Sequence, residues 1–243
     1  MLITCICAVS SCDRNGGDVD INNNHSLDAK TPEPGKPKEF IYVLRLVPRL
    51  YDGMTWTKED KEASERQIIR FQEATKSGQL ILAGRTREPN DKTFGIAIFR
   101  ASDEAAALAF MKADLTVSAG LMTAELHPFA VALEHANPEP GKPSFIYVLR
   151  LVPRLYDSKN WTKEDNSALK RHLIRFQEAT KSGQLILAGR TQEPGDKTFG
   201  IAIFTASDEA AALAFMKADP TVSAGLMTAE LHPFAVAFEH ANP

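Results

Sequence analysis

The chain repeats itself. Phe40 to Asn137 matches Phe145 to Asn242 at a constant offset of 105 residues, and only 14 of the 98 paired positions differ. Two copies this alike must adopt one fold twice, so the 243 residues divide into two small domains rather than one large one. The Pro-rich segments Pro32–Pro37 and Pro138–Pro143 introduce each copy with the same six residues. The expected organisation is a leader over 1–12, a tether over 13–39, a first repeat over 40–137, a linker over 138–144 and a second repeat over 145–243.

The second copy shows its elements most clearly. Phe145 to Val152 is rich in β-branched and aromatic residues and reads as a strand closed by Pro153. Thr162 with Asp165 three residues on forms a variant capping box, and Gly183 supplies a stop, which predicts a helix to about Ser182. Strands follow over Gln184–Gly189 and Lys197–Thr205. Ser207-Asp208-Glu209 starts a second helix that ends before Asp219-Pro220, and a last strand runs from about Thr228 to Phe238. Pro233 has no N–H for a ladder, so this last strand is expected at a sheet edge.

The order is βαββαβ, the ferredoxin-like plan of an α+β domain. In the third strand Phe199, Ile201 and Ile203 point one way and Gly200, Ala202 and Phe204 the other. Both faces are apolar, yet two helices cover only one. The expected partner for the other face is the sheet of the sister copy. That packing makes an intramolecular pseudo-dimer resembling a dimeric α/β barrel.

Composition narrows the function classes. A net charge of -3 gives no electrostatic footprint for nucleic acid. Cys5, Cys7 and Cys12 are the only cysteines, so neither repeat holds a disulfide or a cysteine metal site. The apolar start ending in Val9-Ser10-Ser11-Cys12 resembles the end of a bacterial lipoprotein signal. Lipidation of Cys12 would export the chain and hold it to a membrane at the periplasm or cell surface. Otherwise the leader is no signal and the chain is cytoplasmic. Asp13 to Glu39, with Asn22-Asn23-Asn24, has too little apolar material to pack and reads as a flexible spacer.

The second copy carries His172-Leu-Ile-Arg-Phe176, Gly183-Gln-Leu-Ile-Leu-Ala-Gly-Arg-Thr191, Thr198-Phe-Gly-Ile201, Asp219-Pro-Thr-Val222 and Gly225-Leu-Met-Thr-Ala-Glu-Leu-His-Pro233. This run resembles the YciI family, the YCII-related domain, and the resemblance extends over both repeats. It implies a ferredoxin-like, dimeric fold and a His–Asp active-site pair, which falls on His172 and Asp219. A few relatives act on small aromatic compounds such as chlorinated hydroxyquinols, which implies a small-molecule ligand.

The residues themselves leave two readings of His172. Leu169, Leu173 and Phe176 define the expected buried stripe of the helix, and His172, three residues after Leu169 and four before Phe176, lies on or beside it. A nearby carboxylate would fix its tautomer and raise its basicity, as a general base requires. A core histidine satisfied by one hydrogen bond fits the same position. The first copy has Gln67 for the histidine and Leu115 after Asp114, so a site on Gln67 and Asp114 could bind but not exchange protons. Arg150 and Arg190 could hold a carboxylate or phenolate, or be tied up in internal ion pairs. Trp56 and Trp161 precede helix caps and read as staples. Glu230 and His232 share a strand face and suggest a metal only weakly, since no third ligand is evident, while His127, His135 and His240 read as solvated. No phosphate loop, dinucleotide fingerprint, nucleophile elbow or HExxH is legible, so neither a metal nor a cofactor is expected.

Overall fold

The computed structural model describes residues 37–135 and 141–240. The leader, Cys12 and nearly all of the expected tether lie outside the described residues. The first repeat runs β1 Lys38–Leu46, α1 Lys58–Lys76, β2 Leu80–Thr86, β3 Phe94–Ala101, α2 Glu104–Lys112, α3 Leu115–Ser118 and β4 Met122–Glu134. The second repeats the order with β5 Ser144–Leu151, α4 Lys163–Lys181, β6 Leu185–Thr191, β7 Gly200–Thr205, α5 Glu209–Lys217, α6 Pro220–Ser223 and β8 Met227–Glu239. The βαββαβ plan holds in both.

Local signals set the helix bounds. Thr162 accepts from the Asp165 N–H while Asp165 accepts from the Thr162 N–H, so the capping box is complete. Arg154 adds a two-pronged pair to the same carboxylate at 2.8 Å on each side. These hydrogen bonds hold Asp165 well below the usual carboxylate range. Gly183 follows the helix with φ +79°, a left-handed turn that a side chain would oppose. The third strand starts later than expected, at Gly200, because Gly195–Lys197 form a 3-10 turn.

The strands close into one barrel, in the order β1-β3-β2-β8-β5-β7-β6-β4. Each repeat contributes a four-stranded sheet, and two seams join them: β2 with β8, and β6 with β4. The expected sheet-to-sheet burial is therefore realised as a closed dimeric-type α/β barrel, with the seams hydrogen-bonded as well as packed. Ile41, Ile96, Ile98 and Phe129 meet Ile146, Ile201, Ile203 and Phe234 in one interior cluster. The helices cover the outside, over Tyr42 and Phe99 in one repeat and Tyr147 and Phe204 in the other. Phe199, Ile201 and Ile203 face inward and Ala202 and Phe204 outward, as their alternation predicts.

The last strand is not an edge. It pairs with β5 along its first half and with β2 along its second. Pro233 is tolerated because it sits where the strand changes neighbours. Its carbonyl accepts from Arg87 just beyond β2, at 2.9 Å, and the reverse bond that it cannot make lies past the end of the ladder. Pro128 does the same with Gln192 at the other seam. Both seams are also too tight for a side chain at their glycines. A Cβ on Gly84 would lie 2.4 Å from the Ala235 carbonyl, and one on Gly189 2.5 Å from that of Ala130.

Candidate functional site

His172 is the tenth residue of the 19-residue α4, on the face turned to the outside of the barrel. Asp219 caps the short α6 and is fully buried. The fold brings them together: Nδ1 of His172 lies 2.8 Å from Oδ1 and 2.9 Å from Oδ2 of Asp219. Tyr147, on the outward face of β5, donates its hydroxyl to Oδ2 at 2.9 Å. Thr221 donates its N–H and hydroxyl to Oδ1 at 2.9 and 2.8 Å. All of these bonds are donations to the carboxylate.

The electrostatics follow from those donors. Burial pushes the Asp219 carboxyl up, but the bonds from His172 and Thr221 outweigh it and hold the group below its ordinary range. Burial, then the charge of Asp219, pushes the Tyr147 phenol well above its usual value, so it stays a neutral donor. An ionised carboxylate only accepts, so Nδ1 of His172 carries its proton. Proton exchange is left to Nε2, which has no hydrogen-bond partner among the described residues and is not one of the fully buried unpaired atoms. The His172 side chain is 9% exposed, and its ring lies 4.1 Å from the Phe176 ring.

The first repeat builds the same frame without the imidazole. Tyr42 and Thr116 donate to Asp114 as their counterparts do to Asp219. Gln67, however, turns its Oε1 to the N–H of Leu115 at 2.8 Å, and its Nε2 is buried without a partner among the described residues. In the second repeat Pro220 occupies that turn position and has no N–H. The two differences are therefore linked: where the turn offers a donor, the helix supplies an acceptor, and where it offers none, the helix side chain is free to donate to the aspartate.

Neither predicted anion-holding arginine supplies a bond to this pair. Arg150 is exposed at the end of β5, its guanidinium 5.4 Å from the centre of the Phe199 ring. It stands on the inward alternation of its strand, at a barrel mouth, whereas His172 lies outside the barrel. Arg190 is half-buried in β6, opposite Ala130 and Gly200. The arginine beside the pair is Arg175, unnoticed in the sequence. It stacks on Phe215 at 4.0 Å, donates to the Phe215 carbonyl, and its charge partly offsets the rise of Tyr147. Its Nη1 is buried and unpaired among the described residues. Its place three residues after His172, on the same helical face, was the available signal. Tyr147 and Thr221 were missed too, the tyrosine because strand alternation marks it as core.

Trp161 donates to the Leu155 carbonyl at 3.0 Å and packs beside Leu226, the stapling role expected of it. His127 and His240 are not solvated: His127 is 7% exposed and 2.7 Å from Glu193, and His240 donates to the Thr75 carbonyl. Among the described residues no three His, Cys, Asp or Glu side chains converge on a metal position. A half-open cavity of about 370 Å³ lies elsewhere, between Ser182, Gln184, Thr205 and Ser207.

No curated protein matches the chain in sequence. Among solved structures it resembles a proposed monooxygenase from Lactobacillus acidophilus NCFM, at TM-score 0.52 and 9% identity over 84% of this chain and 98% of that one. It also resembles a heme-binding protein from Thermus thermophilus, at 0.52 and 11% over 82% and 91%. A mutant chlorite dismutase from Candidatus Nitrospira defluvii matches at 0.52 and 14% over 82% and 91%. Identities this low establish a shared barrel fold and nothing of its chemistry. Residues 150–234 match the family model of the YCII-related domain, a span that includes His172, Arg175 and Asp219. The family resemblance read from the motifs of the second repeat is thereby borne out, and that repeat carries a YCII-related domain.

Proposed function

We propose that the second repeat is a small-molecule site in which His172 exchanges a proton through Nε2 while Asp219 fixes its tautomer. The observation that carries this reading is the 2.8 Å bond from Nδ1 to a buried, ionised carboxylate. A histidine so oriented is the usual form of a general acid or base. The reaction class is proton transfer or elimination on a small anionic compound, aromatic ones included, with the charge of Arg175 acting on Tyr147 beside the pair. The first repeat is the degenerate counterpart, since Gln67 does not titrate. A turnover screen of small anionic aromatics should respond to His172→Ala and ignore Gln67→Ala. Equal responses would refute the assignment.

One observation favours a second reading, a ligand-binding or structural module with a vestigial pair: the His172 side chain keeps only 9% of its surface. Ligand stabilisation in a thermal-shift panel, without turnover and unchanged by His172→Gln, supports that alternative. The exported, lipid-anchored location also belongs to the proposal. Intact mass of the membrane fraction tests it through a diacylglyceryl adduct on Cys12.

A further inference from the structure

All eight barrel contacts are antiparallel, so β1, β2, β5 and β6 end at the same mouth, where β3, β4, β7 and β8 begin. Two matching clusters stand there, each drawn from both repeats. In one, Nδ1 of His232 lies 2.7 Å from Glu88 of the other repeat, and Nε2 lies 3.7 Å from Glu230. In the other, Nδ1 of His127 lies 2.7 Å from Glu193, and Nε2 lies 3.8 Å from Glu125. Each ring is wedged edge-on against a phenylalanine, His232 on Phe94 and His127 on Phe199. Both histidines are 7% exposed, so their orientation is fixed by packing.

The two ring nitrogens have different roles. Glu88 and Glu193 accept from Nδ1, which leaves a lone pair on Nε2. A carboxylate behind a histidine in this way is the common outer partner of a metal-bound imidazole. Nε2 and the outer carboxylate are too far apart for a hydrogen bond. Two donors at about 2.1 Å from one tetrahedral ion stand about 3.4 Å apart, close to the observed spacing. The pairing of Glu230 with His232, and of Glu125 with His127, is two residues along one strand, so both side chains leave the same face. The outer carboxylates are 79% exposed and free to adjust.

We propose that this mouth holds two equivalent imidazole–carboxylate sites for a divalent ion of the zinc or copper class, one on His232 and Glu230, the other on His127 and Glu125. Water completes each coordination shell, because no third side chain among the described residues converges there. The imidazole donor selects zinc or copper over magnesium or calcium. Arg45 and Arg150 rest against the same phenylalanines and limit how tightly a cation is held. Glu88 and Glu193 reach across the seams, so the imidazole of each site is oriented by the other repeat.

The test is copper(II) titration of the full chain, followed by calorimetry and electron paramagnetic resonance. Thiols such as those of Cys5, Cys7 and Cys12 can take up copper as well, so the reading is the difference between variants. His127→Gln/His232→Gln should bind two fewer ions per chain. Glu125→Gln/Glu230→Gln, changed only at exposed carboxylates and so folded, should lose at least tenfold in affinity at those two sites. Copper binding to the glutamate variant with the parent's stoichiometry and affinity overturns the proposal, whatever the histidine variant does.

Discussion

The linkage between Gln67 and Leu115 can be tested as a double-mutant cycle. In Gln67→His alone, the new imidazole either donates to Asp114 and abandons the Leu115 N–H, or accepts from Leu115 and faces the carboxylate with a lone pair. Each choice leaves a buried polar group unpaired, at a cost of about 1–3 kcal/mol. In Leu115→Pro alone, Gln67 loses the bond that its Oε1 accepts, and even with Nε2 turned to donate to Asp114 that oxygen stays buried without a donor, again about 1–2 kcal/mol. Proline itself is accepted at that turn, because Pro220 occupies the equivalent helical position. The double variant removes the surplus donor and restores an imidazole–carboxylate bond, as His172 makes with Asp219. The two changes should therefore couple favourably by about 1–3 kcal/mol, far outside the additivity expected of independent sites. Urea unfolding of the four proteins, with unchanged m-values, measures the coupling. Nitrogen-15 spectra should show one more histidine with a protonated Nδ1 than the parent has. Free energies that add within about 0.5 kcal/mol would refute the linkage.

Gly84→Ala or Gly189→Ala should destabilise the barrel by about 1–3 kcal/mol or more, since each Cβ collides with backbone across a seam; a melting temperature within a degree of the parent would contradict the seam geometry. Burial, then the charge of Glu134, pushes Glu239 up to about 7, so it favours folding below the unfolded value near 4.5 and loses that contribution as pH rises through 7. Glu239→Gln should therefore stabilise the protein at pH 8 more than at pH 5, by at most about 3 kcal/mol and less in proportion to its contact with solvent. Asp219 behaves in the opposite sense. Its carboxyl is depressed, so the stability it supplies is complete above about pH 4 and disappears as pH falls through its folded value. Asp219→Asn should cost about 2–4 kcal/mol near neutrality and flatten the acid limb of a stability-against-pH curve.

Much of each repeat was legible because its signals are local. The capping box at Thr162 and Asp165, the stop at Gly183 and the two-residue alternation of Phe199, Ile201 and Ile203 act within a few residues of chain. The His172–Asp219 pair was legible only through the motif resemblance, since 47 residues separate the two and no periodicity joins them. Its neighbours Tyr147 and Arg175 looked like core and helix surface. The sequence could not show that Leu115 and Pro220 differ in a donor that Gln67 answers, because the partner lies 48 residues away.

The duplication and the apolar parity of both strand faces required, before any coordinates, that the two copies hide their sheets in each other. Burial of apolar area has no direction, so that requirement left the manner of closure open. Hydrogen bonds decided it: β2 and β6 cannot leave their outer backbone groups unpaired, and the long last strands of the sister repeats satisfy them. Backbone N–H and C=O are the same in nearly every residue, so a seam made of them leaves no trace in composition or pattern. That closure placed Arg150 at the mouth, far from its expected role, and set His127 and His232 between carboxylates of both repeats.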